Sequence, residues 1–408
     1  MKKSIVVFSI LVLLTGCLVK AAPYHTHLDS DGYLSSKEKP NTISTDITQS
    51  LIQMSQLMID GFQESNDNVF VSAPSLYLAL AMTMQGAQNE TLEEMKKALL
   101  VDALSMDNLN ENLKSLQLAM IQKEGIDMHL TNSIWIRDTF KERVLESFIE
   151  TNETYYAPMI ASGDFDSQAM VDGINDWVSK ATNDKIKTAI DEPIDPLTQM
   201  FLINTLYFKG DWLVPFEKES TMKRPFLDKE VDMMAMIDSF QYTENSLGQF
   251  IALPYKDSDV IMVVALAKEG QQVSISDLVD ASKNMSSIQV DFQLPKVQSE
   301  LTLSAKEFLI AQGMNRAFEA SLADFNGMAQ DATKTGLHIA SVTQKTFLAI
   351  DEKGTEAAAM TKVEMRDESA PMSEVIMHVN RPFTLMIYDP TYEIVYFAGY
   401  IQNPQDTN

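Results

Sequence analysis

Histidine and cysteine, which often serve as catalytic bases and nucleophiles, number only 5 and 1 in this 408-residue chain, and their spacing matches no catalytic motif. There is no Gly-x-Ser-x-Gly, no His-Glu-x-x-His and no glycine-rich loop of the phosphate-binding type. The single cysteine, Cys17, lies in the N-terminal segment, and His25 and His27 are two potential metal ligands without an anchored third. We therefore expect neither an enzyme, nor a cofactor, nor a metal site.

The segment that begins at Asp351 indicates a different kind of chemistry, because its side chains alternate between two classes. One face is small or apolar and consists of Thr355, Ala357, Ala359, Thr361, Val363 and Met365. The opposite face is largely charged and consists of Glu356, Ala358, Met360, Lys362, Glu364, Arg366 and Glu368. This period of two is typical of a strand with one buried face, yet three consecutive alanines and many charges form strands poorly. The pattern predicts a segment that joins a sheet late; the alternative is a linker or a helix, since Ala and Glu favour helices.

The N-terminus has the pattern of an export signal, in which Lys2 and Lys3 precede a short apolar run over 5–14. The next residues, 14–17 (LTGC), resemble the lipobox of bacterial lipoproteins, where cleavage leaves Cys17 as a lipid-bearing N-terminus. We expect residues 1–16 to be the signal peptide and acylated Cys17 to anchor the protein in the bacterial cell envelope. Leu18 lacks the acidic signal that retains some lipoproteins at the inner membrane, which favours the outer membrane or cell surface. An ordinary secretory signal is the alternative.

Charge and cysteine content exclude several kinds of partner and of stabilisation. The formal net charge is −25, and removal of Lys2 and Lys3 with the signal lowers it by two, to −27. Such a surface repels nucleic acid and polyanions such as heparin, so we expect neither as a partner. With one cysteine, the exported chain forms no intramolecular disulfide, and the fold depends on packing alone. We expect a monomer.

Hydrophobic patterning divides the chain into a polar tether and one large domain. Residues 17–42 show no hydrophobic period and suit a flexible tether. From Asp46 onward, apolar residues recur at helical spacing up to Phe62, with Thr45 or Asp46 placed to cap the helix. The apolar run 260–266 suits a buried strand. Helical and strand-like stretches then alternate without a second linker, which predicts a single α+β domain over 43–408.

Many short segments of this domain resemble the serpin family, in order and at the family's spacing. Residues 68–76 (NVFVSAPSL) resemble the second helix and the turn before it, 174–178 (INDWV) the helix across the main sheet, and 204–212 (NTLYFKGDW) its central strand. Further similar segments are 81–82, 86–87, 182, 185–186, 294–296, 313–318, 323–328 and 380–383. The resemblance implies the serpin fold: a large central mixed β-sheet, smaller sheets, eight or nine helices and an exposed reactive-centre loop.

The resemblance also implies a function, inhibition of serine and some cysteine endopeptidases by a suicide-substrate mechanism. A protease cleaves the exposed loop, the freed segment inserts into the central sheet as a new strand, and the protease is trapped as an acyl-enzyme. The hinge of this loop corresponds to Glu352, Lys353, Gly354, Thr355, Glu356, Ala357, Ala358 and Ala359. No proline, which would block insertion, lies between Glu352 and Ser369. A non-inhibitory binding protein on the same scaffold is the alternative.

The bond that a target protease cleaves is less sharply defined. Family spacing, about sixteen positions on from Glu352, implies Glu368-Ser369 and a protease that prefers acidic residues. The same stretch also offers Met365, Arg366, Asp367 and Met372 as alternatives.

The resemblance further implies which residues gate the opening of the sheet. They are Ser72, Ser75, Asn204, Trp212 and Gln344. Two positions depart from the family's pattern: Ala73 stands where a proline is common, and Gln344 stands where a histidine is common. Since Gln both donates and accepts hydrogen bonds, we expect Gln344 to supply exchanged polar contacts at this gate.

Overall fold

The computed structural model describes residues 24–26, 38–63, 68–190, 194–355 and 375–404. Over these residues the chain forms nine α-helices and sixteen β-strands. Apolar side chains at helical spacing, and alternating or continuous apolar runs in the strands, form the core between them.

The helices lie mainly in the first half of the chain. They are α1 (Thr45–Gln63), α2 (Ala73–Met84), α3 (Asn89–Ala98), α4 (Met106–Ile121), α5 (Glu146–Tyr156), α6 (Gln168–Ala181), α7 (Ile275–Ser282), α8 (Lys306–Ala311) and α9 (Ala332–Thr335).

The strands are distributed over the whole described chain. The first eight are β1 (Tyr24–Thr26), β2 (Asn68–Val71), β3 (Ile126–Arg137), β4 (Met159–Gly163), β5 (Met200–Asp211), β6 (Met222–Phe226), β7 (Lys229–Glu244) and β8 (Gly248–Pro254). The others are β9 (Ile261–Ala267), β10 (Ser286–Pro295), β11 (Val297–Ser304), β12 (Thr343–Ile350), β13 (Gly354–Thr355), β14 (Val375–His378), β15 (Phe383–Asp389) and β16 (Ile394–Ile401).

The central sheet has seven strands in the order β1-β4-β3-β5-β13-β12-β11. It is mixed, because β3 and β4 run parallel while its other neighbours are antiparallel. At its upper end Gly210 of β5 lies opposite Ile126 and Thr355, and at its lower end Met200 lies opposite Ile136. These two positions define the upper end and the lower end of the central sheet.

The strands expected in smaller sheets form one continuous second layer. Its nine strands follow the order β14-β10-β7-β8-β9-β15-β16-β2, with β6 paired to β7. Helix α1 packs on β16 and β2 of this layer, and α2 lies between the layer and β5 of the central sheet. The expected α+β class, with a large mixed central sheet, is confirmed.

Two local predictions can be checked directly. The apolar period from Ile47 to Phe62 forms α1 and is buried, but the predicted cap is wrong by one residue. The helix begins at Thr45, and the side chain of Ser44 accepts a hydrogen bond from the Ile47 N–H at 3.4 Å. The run 260–266 forms β9, displaced by one residue at each end.

One strand lies where no regular structure was expected. Residues Tyr24–Thr26 fall within the segment 17–42, which we expected to be a flexible tether, and they pair with β4 at the edge of the central sheet. The Tyr24 ring lies edge-on to Trp135, with 4.8 Å between ring centroids. An edge strand with unpaired backbone groups and a buried aromatic partner together explain why this short polar segment is ordered.

Candidate functional site

The predicted hinge begins as a tight turn at the upper end of the central sheet. The Asp351 carboxylate accepts hydrogen bonds from the N–H groups of Lys353, at 2.8 Å, and Gly354, at 3.3 Å. Trp212 holds this turn from the end of β5, since its backbone N–H donates to Lys353 O at 2.7 Å and its indole N–H donates to Asp351 O at 3.0 Å. Two carbonyl groups of the turn thus accept hydrogen bonds from Trp212, which directly follows β5, the strand beside the hinge.

Gly354 and Thr355 form β13, a two-residue strand that lies between β5 and β12. Gly354 pairs with Asp211, and Thr355 pairs with both Gly210 and Ile350. A Cβ at position 354 would lie 2.1 Å from the Gly210 carbonyl oxygen, so only glycine fits this approach of two backbones. The hinge therefore starts as an additional strand of the sheet.

Thr355 is 3% exposed, and its hydroxyl lies 2.6 Å from the hydroxyl of Tyr255. Burial raises the pKa of the Tyr255 phenol, which keeps its proton available for this hydrogen bond. The Tyr255 ring stacks on Trp212, with 4.9 Å between centroids and 17° between planes. The Thr355 side chain therefore lies against an aromatic pair at the upper end of the sheet.

Glu352 anchors the hinge through its carboxylate, which is 12% exposed. It accepts hydrogen bonds from the ammonium group of Lys296 and the hydroxyl of Thr221, both at 2.9 Å. Burial acts to raise the pKa of Glu352, but the hydrogen bonds from Lys296, from the backbone and from Thr221, together with the charge of Lys296, leave it lowered. The carboxylate is therefore ionised at neutral pH and holds the turn against Lys296 and Thr221, the residues that immediately precede β11 and β6.

Below β13, the strands β5 and β12 are not paired with each other along the described residues. A cleft of about 740 Å³ separates the lower half of β5 from the segment that leads into β12. Its floor includes Ser75 and Leu76 of α2, and Val178 of α6 lies on its other side. Each of the two strands is thus hydrogen-bonded to a neighbour on its outer edge, β5 to β3 and β12 to β11, but the two are not hydrogen-bonded to each other along the cleft.

The N-terminus of α2 connects these two strands through side chains. Gln344 of β12 accepts a hydrogen bond from the Ser72 N–H at 3.1 Å and donates one to the Ser72 carbonyl at 2.9 Å. Ser75 donates to the side chain of Asn204 on β5 at 2.6 Å, and its N–H donates to the Ser72 hydroxyl at 3.3 Å. The structure therefore brings Ser72, Ser75, Asn204 and Gln344 together beneath the opening.

Trp212 lies apart from this group, at the upper end beside the hinge. Ala73 begins α2 and its methyl group is buried in the hydrophobic core, and Pro74 occupies the next position in the first turn, where a missing N–H has no cost.

Several residues of the site escaped sequence reasoning. Asn132 of β3 accepts a hydrogen bond from Asn204 at 2.7 Å and donates to Gln117 of α4 at 2.8 Å, which extends the polar chain across two more elements. Tyr255 contacts the hinge from the residue after β8, and Lys296 contacts it from the residue between β10 and β11. No local pattern identifies Tyr255 or Lys296, because their partners Thr355 and Glu352 are more than fifty residues away in the chain.

Other predicted site residues lie outside the described residues, and their assignments stay predictions. They are the hinge residues Glu356, Ala357, Ala358 and Ala359, the bait residues Met365, Arg366, Asp367, Glu368, Ser369 and Met372, and the lipidation site Cys17. Over the described part of the chain, each helix is too short or too polar to cross a membrane.

Comparison with known proteins bears on both the fold and the N-terminus. The family model "Serpin (serine protease inhibitor)" matches residues 46–404, and the model "Prokaryotic membrane lipoprotein lipid attachment site" matches residues 1–17. The second match is that of an exported, lipid-anchored protein.

Individual relatives match over most of their length. An uncharacterized serpin-like protein of Thermococcus kodakarensis is 32% identical over 84% of this chain and 82% of its own. Antithrombin-III of Mus musculus is 29% identical over 84% of this chain and 77% of its own. The structure of a thermophilic serpin, tengpin, in the native state is similar with a TM-score of 0.76 and 28% identity, over 91% of this chain and 99% of tengpin.

The family model spans nearly the whole described domain, and a relative above 30% identity is covered over four-fifths of its length. The hinge, the open pair of strands and the gate beneath them lie within that match. This chain belongs to the serpin family.

Proposed function

We propose that this protein is a suicide-substrate inhibitor of serine endopeptidases, and that its reactive loop inserts between β5 and β12 after cleavage. The observation that carries the proposal is β13, because Gly354 and Thr355 already pair with both strands at the upper end of the opening. The residues that follow need only extend this short strand downward.

The energetics support insertion as a spontaneous step. A dozen inserted residues form on the order of ten backbone hydrogen bonds, each with a net value of about 1 kcal/mol. The total, roughly 10 kcal/mol, is comparable with the whole stability of a domain. The uncleaved protein is then held by a kinetic barrier, to which the polar contacts at Ser72 and Asn204 contribute.

We propose that the target protease cleaves Glu368-Ser369. The class of target is then a glutamyl endopeptidase. Replacing Glu368 by Arg tests this assignment, because it should transfer inhibition from glutamyl to trypsin-like proteases. Unchanged selectivity would move the cleaved bond to one of the alternatives, Met365, Arg366, Asp367 or Met372.

The inhibitory mechanism itself is tested with the purified full-length protein and a panel of serine and cysteine proteases. Inhibition predicts a covalent complex that survives denaturing electrophoresis, and a cleaved protein with a greatly increased unfolding temperature. Cleavage without a complex and without this increase would refute the mechanism and indicate a binding protein on a serpin scaffold.

We further propose that Cys17 carries the lipid and that the protein lies on the outer membrane or the cell surface. Incorporation of labelled palmitate into the parent protein, and its loss in Cys17→Ala, is the expected result. Flotation of the parent with outer-membrane vesicles tests the location; recovery with the inner membrane would contradict it.

A further inference from the structure

Strand β1 connects the N-terminal segment to the edge of the central sheet. It pairs antiparallel with β4, with Tyr24 opposite Gly163 and Thr26 opposite Ala161. Burial and, after it, the charge of Asp176 raise the pKa of the Tyr24 phenol, which lies half-buried beside Trp135 and α6. His25 and Thr26 are exposed. One aromatic contact and a three-residue ladder therefore fix this point of the chain to the domain.

The register places β1 at the lower end of the sheet. Gly163, opposite Tyr24, lies within one residue of the level of Met200 across the sheet. The hinge residue Thr355 lies opposite Gly210, ten residues further along β5, a distance of about 34 Å. From Tyr24 to Thr26 the chain runs toward the upper end, so the N-terminal end of β1 faces the lower end.

Chain length then limits where the lipid can be. Cys17 precedes Tyr24 by seven residues, which span at most about 25 Å when fully extended. Without β1, the first described residue of the following segment would be Glu38, and the reach would rise to about 75 Å with no preferred direction. The three residues of β1 thus convert a long tether into a short one.

We propose that β1 orients the anchored protein, with the lower end of the central sheet facing the lipid bilayer at a distance of at most about 25 Å and the hinge end pointing away from it. The inference rests on the lipid anchor of the proposed function. It assigns the lower end as the membrane-facing surface and gives β1 an orienting role.

The lower end also offers an apolar contact to the membrane interface. Leu197, on the loop before β5, is 82% exposed. Arg137 holds this loop, because its guanidinium donates to the carbonyls of Thr198 at 2.9 Å and Asp195 at 3.3 Å. A fixed, exposed leucine on the same end as the lipid attachment fits a surface that lies against headgroups.

Energy transfer from the two ends of the domain to the bilayer tests the orientation. Lys141, four residues beyond β3, labels the lower end, and Lys256, whose N–H donates to Asp211 O at 2.8 Å, labels the upper end. Since acylation consumes the only native thiol, Lys141→Cys and Lys256→Cys each supply one site for a donor dye. The full-length lipoproteins are reconstituted in phosphatidylcholine vesicles that contain an acceptor lipid.

We expect several-fold higher transfer efficiency from position 141 than from position 256. The double change Tyr24→Gly with Thr26→Pro removes the ring contact and weakens the ladder, and should at least halve that difference. The matched control, His25→Ala, changes an exposed side chain of the same strand and should leave the difference unchanged. Thermal unfolding of each variant verifies that the domain itself is intact.

The outcomes separate this inference from the proposed function. Failure of the parent to float with vesicles would refute the lipid anchor and, with it, the orientation. Flotation with equal transfer from the two positions would refute the orientation alone, as would a difference that persists when β1 is disrupted. Protease inhibition in solution is independent of both results.

Discussion

Replacing Thr355 by Arg should convert the protein from an inhibitor into a substrate. Thr355 is 3% exposed and its hydroxyl bonds to Tyr255 at 2.6 Å, so an arginine there would bury an unpaired charge and leave the phenol without its partner. A buried hydrogen-bonding group without a partner costs about 1–3 kcal/mol, and the unpaired charge adds several more. If about 4 kcal/mol of this total appears in the barrier to insertion, insertion slows about 1000-fold.

The slower insertion changes the outcome of cleavage but not its rate. Position 355 lies thirteen residues before Glu368, so the protease still binds and cleaves the loop. The acyl bond, however, then hydrolyses before the strand is inserted. The assay is the number of inhibitor molecules cleaved per protease captured, measured by denaturing electrophoresis with increasing inhibitor. We expect this ratio to rise steeply in Thr355→Arg until no covalent complex is visible.

Thr355→Val is the matched control, because it keeps the shape of threonine and loses only the hydrogen bond to Tyr255. A cost of about 1–2 kcal/mol would slow insertion about 5-fold to 30-fold, which predicts an intermediate ratio. Equal capture by Thr355→Arg and the parent would show that β13 is not the start of the inserted strand. If Thr355→Val loses as much capture as Thr355→Arg, the size and charge of arginine are not the cause of the loss.

Three further changes test the contacts around the hinge and the gate. Glu352→Gln removes the charge that pairs with Lys296, and at neutral pH we expect unfolding free energy to fall by about 1 kcal/mol. Folding lowers the pKa of Glu352, so this contribution is present above the ordinary value of 4.5 and is lost as the pH falls through the folded value. The difference in stability between variant and parent in urea titrations should therefore shrink as the pH is lowered below 4.5. Gln344→Ala leaves the Ser72 N–H without its partner and the Ser72 carbonyl with only the N–H of Leu76, and we expect a loss of about 1–3 kcal/mol in the same titration. Gly354→Val places a side chain where a Cβ already meets a backbone oxygen at 2.1 Å, so β13 should not form and the fluorescence of the adjacent tryptophan should move toward the red.

Each of these changes has a control or a contrary result. Glu300→Gln and Gln298→Ala alter exposed side chains of β11 and should leave stability within about 0.5 kcal/mol of the parent. A difference between Glu352→Gln and the parent that stays constant as the pH is lowered below 4.5 would contradict the ion pair as its source. An unshifted emission spectrum in Gly354→Val would mean that the turn tolerates a side chain.

The sequence alone predicted those helices and strands whose burial produces a local pattern of apolar residues. The helical period from Ile47 to Phe62 and the continuous apolar run of β9 each carry their own signal, because one face or both faces of the element are buried. The cap of α1 was misplaced because Ser44, Thr45 and Asp46 are all good capping residues, and only the backbone geometry selects Ser44. Element boundaries of this kind depend on packing that the pattern does not contain.

Contacts between segments that are distant in the chain were harder to predict from the sequence. The gate residues Ser75 and Asn204 were identified through resemblance, but the extension of their network to Asn132 was not, since a buried asparagine in a strand has no periodic signature. Strand β1 was missed for a related reason. Its three residues show no alternation long enough to detect, and their order depends on an edge strand and on Trp135, more than one hundred residues away.

In the proposed mechanism and orientation, insertion of the loop and anchoring to the bilayer involve the same end of the molecule. An inserted segment that starts at Thr355 and runs down the sheet would carry Glu368 about 44 Å, beyond the level of Met200, to the lower end, where β1 lies. A protease domain is about 40 Å across, which exceeds the reach of about 25 Å that β1 allows between domain and bilayer. Capture on a membrane therefore requires the domain to tilt or β1 to detach. The balance favours capture, because a three-residue ladder and one aromatic contact are worth a few kcal/mol, whereas insertion of the loop contributes roughly 10 kcal/mol.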